Sequence, residues 1–220
     1  MTIATDADLE VLAEVRAELE WTPDVDAAAI GVAVDDGTIT LSGEVGSYAE
    51  RLAAKKAALR VRGVRAIVDD LAVETRGATW SPGEVDTAQQ VDRALRSATT
   101  VPQSVQAEVH GHDVTLTGEV DWECQRQAAR RAVQFLRGVS TINDRMTLKE
   151  RASASDTRQR IADALTRNAQ IDADTIQVAV DGTRVTLTGR VRSWAERLQA
   201  ADAAWSSPHV TDVDNRIYIV

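Results

Sequence analysis

Histidine and cysteine, the side chains that most often bind metals or act as nucleophiles, are scarce in this chain. It has three histidines and one cysteine among 220 residues. His110 and His112 flank a glycine in a predicted hairpin turn, and two imidazoles at this spacing could hold a metal ion weakly. Although Asp113 is adjacent, the sequence offers no further ligand to complete a site. We therefore interpret this segment as a polar turn.

Cys124 is predicted to lie in the first turn of a helix, where a thiol can be activated. The neighbouring Glu123 and Arg126 provide neither a general base nor a second thiol, so a small helix residue is the better interpretation. The sequence also contains no phosphate-binding loop, nucleophile elbow or dinucleotide fingerprint. We expect no catalytic residue, no cofactor, no metal site and no enzyme activity.

The acidic composition narrows the classes of partner. The chain has 34 acidic and 25 basic residues, a net charge of −9, which argues against nucleic acid as the main partner. No apolar run approaches the roughly 18 residues that a membrane-spanning helix needs. The first ten residues lack the basic and apolar segments of a secretory signal, so the expected compartment is the cytoplasm.

The elements that would position any functional residue are repeated three times. One motif reads Ile-Thr-Leu-Ser-Gly-Glu-Val at 39–45, Val-Thr-Leu-Thr-Gly-Glu-Val at 114–120 and Val-Thr-Leu-Thr-Gly-Arg-Val at 185–191. The similarity extends beyond the motif, because each glycine has a valine nine residues before it and an arginine eight residues after it. Apolar residues also recur 21, 24 and 28 residues after each glycine. The chain is therefore three copies of one unit.

Each copy has the same order of predicted elements. Apolar residues at helical spacing come first, followed by two alternating strands, an alanine-rich helix and a last alternating strand. A right-handed crossover between the second and third strands places both helices on one face of the sheet. The sequence thus predicts an α+β protein of three tandem αββαβ domains at 5–75, 82–149 and 155–220, each with a three-stranded mixed sheet. The glycines predicted to have a structural role in these domains are Gly43, Gly63, Gly118, Gly138 and Gly189.

Aromatic residues stand at the start of the second helix in every copy. Ser47 and Ser193 begin predicted capping boxes, and Asp121 is the predicted cap in the middle copy. Such rings are candidate interface residues, since aromatic side chains are enriched at interaction hot spots. A hydrophobic staple that packs the strand–helix corner explains them about equally well. With one further tryptophan in a linker, the candidate interface residues are Tyr48, Trp80, Trp122 and Trp194.

The repeated pattern resembles a known domain family. The strands read V-x-V-x-x-G-x-V-x-L-x-G-x-V, an arginine-bearing, alanine-rich helix follows, and the unit closes on G-V-x-x-V-x-x-x-L. This pattern is similar to the BON domain, so the chain resembles three tandem BON domains. The resemblance implies an αββαβ fold without known catalytic chemistry. It also implies bacterial, often stress-induced and often periplasmic relatives that are proposed to bind phospholipids or other proteins, which makes the periplasm the alternative compartment.

Charge is distributed unevenly among the copies. Residues 9–74 carry 13 acidic and seven basic side chains, whereas 85–149 carry eight of each. The second helices of these two copies form a candidate basic surface, namely Arg51, Lys55, Lys56, Arg60, Arg126, Arg130 and Arg131. Three interpretations remain open: solvated helix faces, contact with anionic lipid headgroups, or contact with an acidic helix of another molecule.

The sequence favours a binding function. The leading hypothesis is a non-catalytic, stress-associated interaction protein that acts by self-association between domains and can extend into a larger or filamentous assembly. The alternative is a peripheral protein that binds anionic phospholipid at a membrane surface. A chaperone-like holdase is a third hypothesis.

Overall fold

The computed structural model describes residues 5–74, 83–151, 156–168 and 173–220. These residues form six helices and eleven strands, in an order that recurs three times. The predicted α+β fold of three tandem αββαβ domains is confirmed.

The first domain shows the arrangement in its simplest form. It consists of α1 (Asp6–Glu20), β1 (Ile30–Asp35), β2 (Thr38–Val45), α2 (Tyr48–Arg60) and β3 (Ala66–Val73). The central strand β2 is antiparallel to β1 and parallel to β3. The hairpin between β1 and β2 turns on two residues with positive φ, as a tight two-residue hairpin requires.

The second domain has the same order, but its last two strands are each interrupted. Its elements are α3 (Glu84–Ser97), β4 (Gln106–His110), β5 (Asp113–Thr117), β6 (Glu119–Val120), α4 (Glu123–Val133), β7 (Thr141–Asp144) and β8 (Thr147–Leu148). Strands β4, β5 and β7 form a three-stranded sheet, and β6 pairs with β8 in parallel. The short pair continues the direction of the main sheet past Gly118.

The third domain returns to uninterrupted strands. It consists of α5 (Thr157–Arg167), β9 (Ile176–Asp181), β10 (Arg184–Val191), α6 (Trp194–Trp205) and β11 (Asp212–Ile219). Strand β10 lies in the centre, antiparallel to β9 and parallel to β11. The topology therefore matches that of the first domain.

Each domain has its own hydrophobic core between the helices and one face of the sheet. On β2, Ile39, Leu41 and Val45 are fully buried, whereas the residues that alternate with them are exposed or half-buried. This alternation follows from the two-residue period of a strand. The residues on the opposite faces of the sheets, which alternate with the buried ones, are exposed or half-buried.

All five glycines with a predicted structural role have positive φ. The three central ones, Gly43, Gly118 and Gly189, lie near +120 to +130°. A Cβ at each would collide with a backbone carbonyl oxygen just before the first strand of its domain, that of Ala29, Ser104 or Thr175. Only glycine avoids this collision, which explains why it recurs in each copy.

The predicted capping boxes of the second helices form only in part. Ser47 caps α2, and its Oγ accepts a hydrogen bond from the backbone N–H of Glu50. The carboxylate of Glu50 does not return to Ser47, because it accepts from the N–H groups of Gly46 and Asp26 instead. Helix α6 begins in the same way, because the Oγ of Ser193 accepts a hydrogen bond from the backbone N–H of Glu196.

In the middle copy the predicted cap and aromatic position are wrong by one residue. Helix α4 begins at Glu123, so Trp122 is its N-cap rather than its first residue, and Asp121 does not cap the helix. The side-chain oxygen of Gln125 accepts from the N–H groups of both Asp121 and Trp122. The reason is spacing: Tyr48 and Trp194 follow the motif glycine by five residues, but Trp122 follows Gly118 by four.

Candidate functional site

Helix α6 contacts all three domains. Trp194, its first residue, is half-buried and packs against the hydrophobic core of the first domain. Trp205, its last residue, packs against the core of its own domain and against that of the second domain. The two ends of one helix in the third domain therefore join it to both of the others.

The sequence of α6 explains this role. Its buried residues Ala200 and Ala204 face the sheet of the third domain, and their small size lets the helix lie close to it. The bulky side chains at both ends then extend past that sheet. The guanidinium of Arg197 lies 4.6 Å from the centre of the Trp194 ring and donates to the carbonyl oxygen of Asn215, which fixes the orientation of the indole.

The contact between the second and third domains combines aromatic and charged groups. The guanidinium of Arg126 lies 5.0 Å from the centre of the Trp205 ring and pairs with Glu123 at 2.7 Å. Burial raises the pKa of Glu123 above its ordinary value, and the nearby Arg126 offsets this only in part. The junction therefore encloses a partly desolvated ion pair.

A second arginine connects the same two domains. The guanidinium of Arg151 lies 4.1 Å from the centre of the Trp122 ring. It also donates to Asp121 at 3.0 Å and to the carbonyl oxygen of Pro208, in the third domain, at 3.4 Å. A cavity of about 300 Å³ remains at this junction, lined by Trp122, Glu123, Cys124, Gln127, Asp202 and Trp205.

The predicted interface residues are placed differently from one another. Tyr48 is half-buried at the start of α2, and Trp122 is 43 % exposed beside Arg151. Trp194 contacts another domain, and Trp80 lies outside the described residues. Sequence reasoning missed Trp205, although a tryptophan that ends an alanine-rich helix was an available signal.

The predicted basic surface is largely neutralised within its own domains. Asp69 pairs with both Arg51 (3.0 Å) and Lys55 (2.8 Å). Arg60 pairs with Glu18 of α1, and Arg126 with Glu123. The three other members, which remain exposed, are Lys56, Arg130 and Arg131. Four of the seven predicted cations are therefore engaged with carboxylates and do not form a free cationic patch.

The arginine that follows each motif glycine reaches the same place in every copy. Arg51 and Arg126 approach Asp69 and Asp144 on the last strand, and the third domain has Asn215 at this position. The side-chain oxygen of each of these residues also accepts a hydrogen bond from the backbone N–H two residues further along the chain. The group therefore ties the second helix to the last strand.

Replacing Asp69 with asparagine tests this link. Burial would raise the pKa of Asp69, but Lys55 and Arg51 outweigh burial and hold the pKa below its ordinary value of 3.8. A lowered carboxyl pKa stabilises the fold above pH 3.8, and that stabilisation is lost as the pH falls through the folded-state value. We expect Asp69→Asn to lower the free energy of unfolding at pH 7 by about 1 kcal/mol. Urea unfolding at several pH values should show this difference vanish in acid.

The control is Asp70→Asn, because Asp70 is exposed on the other face of the same strand. It should leave stability unchanged at every pH. If Asp69→Asn lowers the free energy of unfolding equally at every pH, the effect does not come from the charge of Asp69.

His110 and His112 occupy exposed positions, whereas His209 is half-buried. His110 lies near the carboxylates of Glu108 and Glu84, and the Nδ1 atom of His112 lies 3.0 Å from the carbonyl oxygen of Gly138. Among the residues that the structure describes, no group of three or more His, Cys, Asp or Glu side chains could hold a metal ion. None of the described helices is long and apolar enough to cross a membrane.

Comparison with known proteins identifies the repeated unit. The model of the BON domain family matches the chain three times, at 7–75, 84–150 and 153–220. The chain is 28 % identical over 146 residues to the osmotically-inducible protein Y of Escherichia coli (strain K12), an alignment that covers 64 % of this chain and 73 % of that protein.

Two of the solved structures that align with this chain are of CdsD, a structural protein of the type III secretion system of Chlamydia trachomatis. One is of its C-terminal domain, 10 % identical, covering 96 % of this chain and 98 % of that one at a TM-score of 0.27. The other is 11 % identical and covers 96 % of this chain and 92 % of that one, again at 0.27. Since such a score does not establish a shared overall fold, nothing about this chain follows from either structure.

Proposed function

Because the chain belongs to the BON domain family and carries three copies of that domain, we propose that it is a non-catalytic, stress-associated protein that acts by self-association. The association with stress is supported by its similarity to a bacterial protein named for its induction by osmotic stress.

The observation that carries the proposal is which surfaces of the three domains are in contact within the chain and which remain exposed. Helix α6 contacts both other domains through its ends, so this helix is used within the chain. The sheet faces opposite the helices are exposed or half-buried, with Val68 at 43 % and Tyr218 at 58 % exposure. The chain therefore presents several similar but non-identical domain surfaces to other molecules.

Such surfaces favour assembly between copies. Each sheet has two edge strands, and an unprotected edge recruits further strands. Contacts between non-identical surfaces of one chain are heterologous, and they propagate into rings or filaments according to the rotation between neighbours. Self-association is thus the binding function that a set of similar but unlike modules on one chain supports best.

For the compartment we favour the periplasm, the alternative that the resemblance to the BON family implied. The similarity to an osmotically inducible protein supports this choice, because osmotic stress acts across the cell envelope.

Light scattering on the purified chain tests the proposal. At low salt, we expect the mass to exceed the 23.8 kDa of one chain and to rise with concentration. A mass of one chain at every concentration and salt would contradict self-association.

Cosedimentation with vesicles of anionic phospholipid distinguishes the alternative function. Because Arg51, Lys55 and Arg60 are paired with carboxylates, we expect little binding at physiological salt. Strong binding by a chain that stays monomeric would support the lipid alternative instead.

A further inference from the structure

The exposed side of α1 is acidic and ends in an exposed aromatic ring. Glu10, Glu14 and Trp21 are spaced by four and seven residues, so they lie on one face of the helix. Trp21 is 83 % exposed, and both glutamates are exposed. Within the described residues, neither glutamate has a recorded ion pair or hydrogen bond. We call Glu10, Glu14 and Trp21 the acidic face.

The end of α4 carries the opposite charge. Arg130, Arg131 and Arg137 are exposed there, and Phe135 between them is 72 % exposed. Arg131 donates to the side-chain oxygen of Gln127, and among the described residues none of the three arginines pairs with a carboxylate. We call these three arginines and Phe135 the basic face.

The two faces complement each other in charge and in apolar contact. Each combines unpaired charges of one sign with one large exposed aromatic side chain. A groove of about 460 Å³ lies beside Trp21, between the ends of α1 and α2, and is lined by Glu14, Ala17, Glu18, Arg60, Val61 and Arg62. Arg60 pairs with Glu18, and Ala17, Val61 and Trp21 offer an aromatic ring such as that of Phe135 an apolar contact beside Glu14.

We propose that the acidic face of one copy binds the basic face of a second copy. Both faces are exposed within a single chain, so their charges are not satisfied internally. Pairing unlike faces leaves one acidic and one basic face free on every dimer, and each further copy can therefore add head to tail. This inference rests on the proposed self-association and specifies the surfaces that carry it.

Charge reversal on each face separately tests the pairing. The acidic-face variant is Glu10→Lys with Glu14→Lys, and the basic-face variant is Arg130→Glu with Arg131→Glu. We expect each to associate about tenfold more weakly or worse, because like charges would then oppose each other. Added salt should weaken the wild-type assembly, since the Debye length falls from about 8 Å at 0.15 M to about 3 Å at 1 M.

Mixing the two variants gives the sharper result. The intact basic face of the first variant can bind the intact acidic face of the second, and the two reversed faces, lysines against glutamates, are also complementary, so an equimolar mixture should assemble although neither variant does so alone. A chain carrying all four reversals should assemble again. Should the reversed glutamates unfold α1, the milder pair Glu10→Gln and Glu14→Gln tests the same face, with circular dichroism to verify folding.

The matched control carries Asp35→Lys with Asp70→Lys. It changes the net charge of the first domain by the same amount, but both residues lie on the exposed sheet face. We expect it to assemble like the wild type. If this control dissociates while the acidic-face variant assembles, the sheets carry the contact and the inference is wrong. If wild-type chains stay monomeric, the proposed function fails together with it.

Discussion

Replacing Trp205 with alanine should lower the free energy of unfolding by about 2–4 kcal/mol, close to the cost of truncating a core tryptophan. Trp205 packs against the cores of the second and third domains at once. Its removal also takes the ring from beneath the guanidinium of Arg126, at 5.0 Å, which costs a further fraction of a kcal/mol. Denaturant unfolding followed by circular dichroism measures the loss.

The variant should also change the shape of the transition. Because Trp205 joins two domains, its loss should let the second and third domains unfold separately, so that one cooperative transition broadens or divides. The matched control is Trp21→Ala, since Trp21 is 83 % exposed and its truncation should change stability by no more than about 0.5 kcal/mol. Equal effects of the two substitutions would contradict a junction built on Trp205.

Replacing Gly189 with alanine should lower the free energy of unfolding by about 3 kcal/mol or more. Gly189 has φ of +132°, and a Cβ there would collide with the carbonyl oxygen of Thr175 and lie 3.1 Å from the Cα of Ile176. The cost combines an unfavourable backbone conformation with a collision against backbone atoms, neither of which can relax easily. Thermal or urea unfolding of the full chain measures it.

Gly182 is the matched control within the same domain. It also has positive φ, at +58°, but no atom lies within 4 Å of a Cβ built on it. Gly182→Ala should therefore lower the free energy of unfolding only by what a left-handed backbone conformation costs alanine, about 1–2 kcal/mol. If both substitutions cost the same, the close approach of strands β9 and β10 is not what requires glycine at position 189.

The repeated elements could be predicted because their signals are local. Ile39, Leu41 and Val45 alternate with exposed residues, and the glycines mark backbone that other residues adopt poorly. The interrupted strands of the middle copy were not predictable in this way. They depend on pairing between segments about 28 residues apart, and the residues around the break have ordinary strand types.

The candidate site could be predicted only in part. An arginine recurs at the same offset in each copy, as Arg51, Arg126 and Arg197, and the charge of the first two suggested an open basic surface. Whether an arginine is free depends on a carboxylate that lies far away in sequence, as Asp69 lies 18 residues from Arg51. Trp205 was missed for a related reason, because the sequence does not say which helix packs against a neighbouring domain.

Negative-stain electron microscopy of the purified chain at low salt tests self-association most directly. The packing of three domains around α6, with unlike charged faces left exposed, predicts particles that contain many chains and become smaller when salt is added. A uniform field of particles no larger than one 23.8 kDa chain at every salt concentration would contradict it.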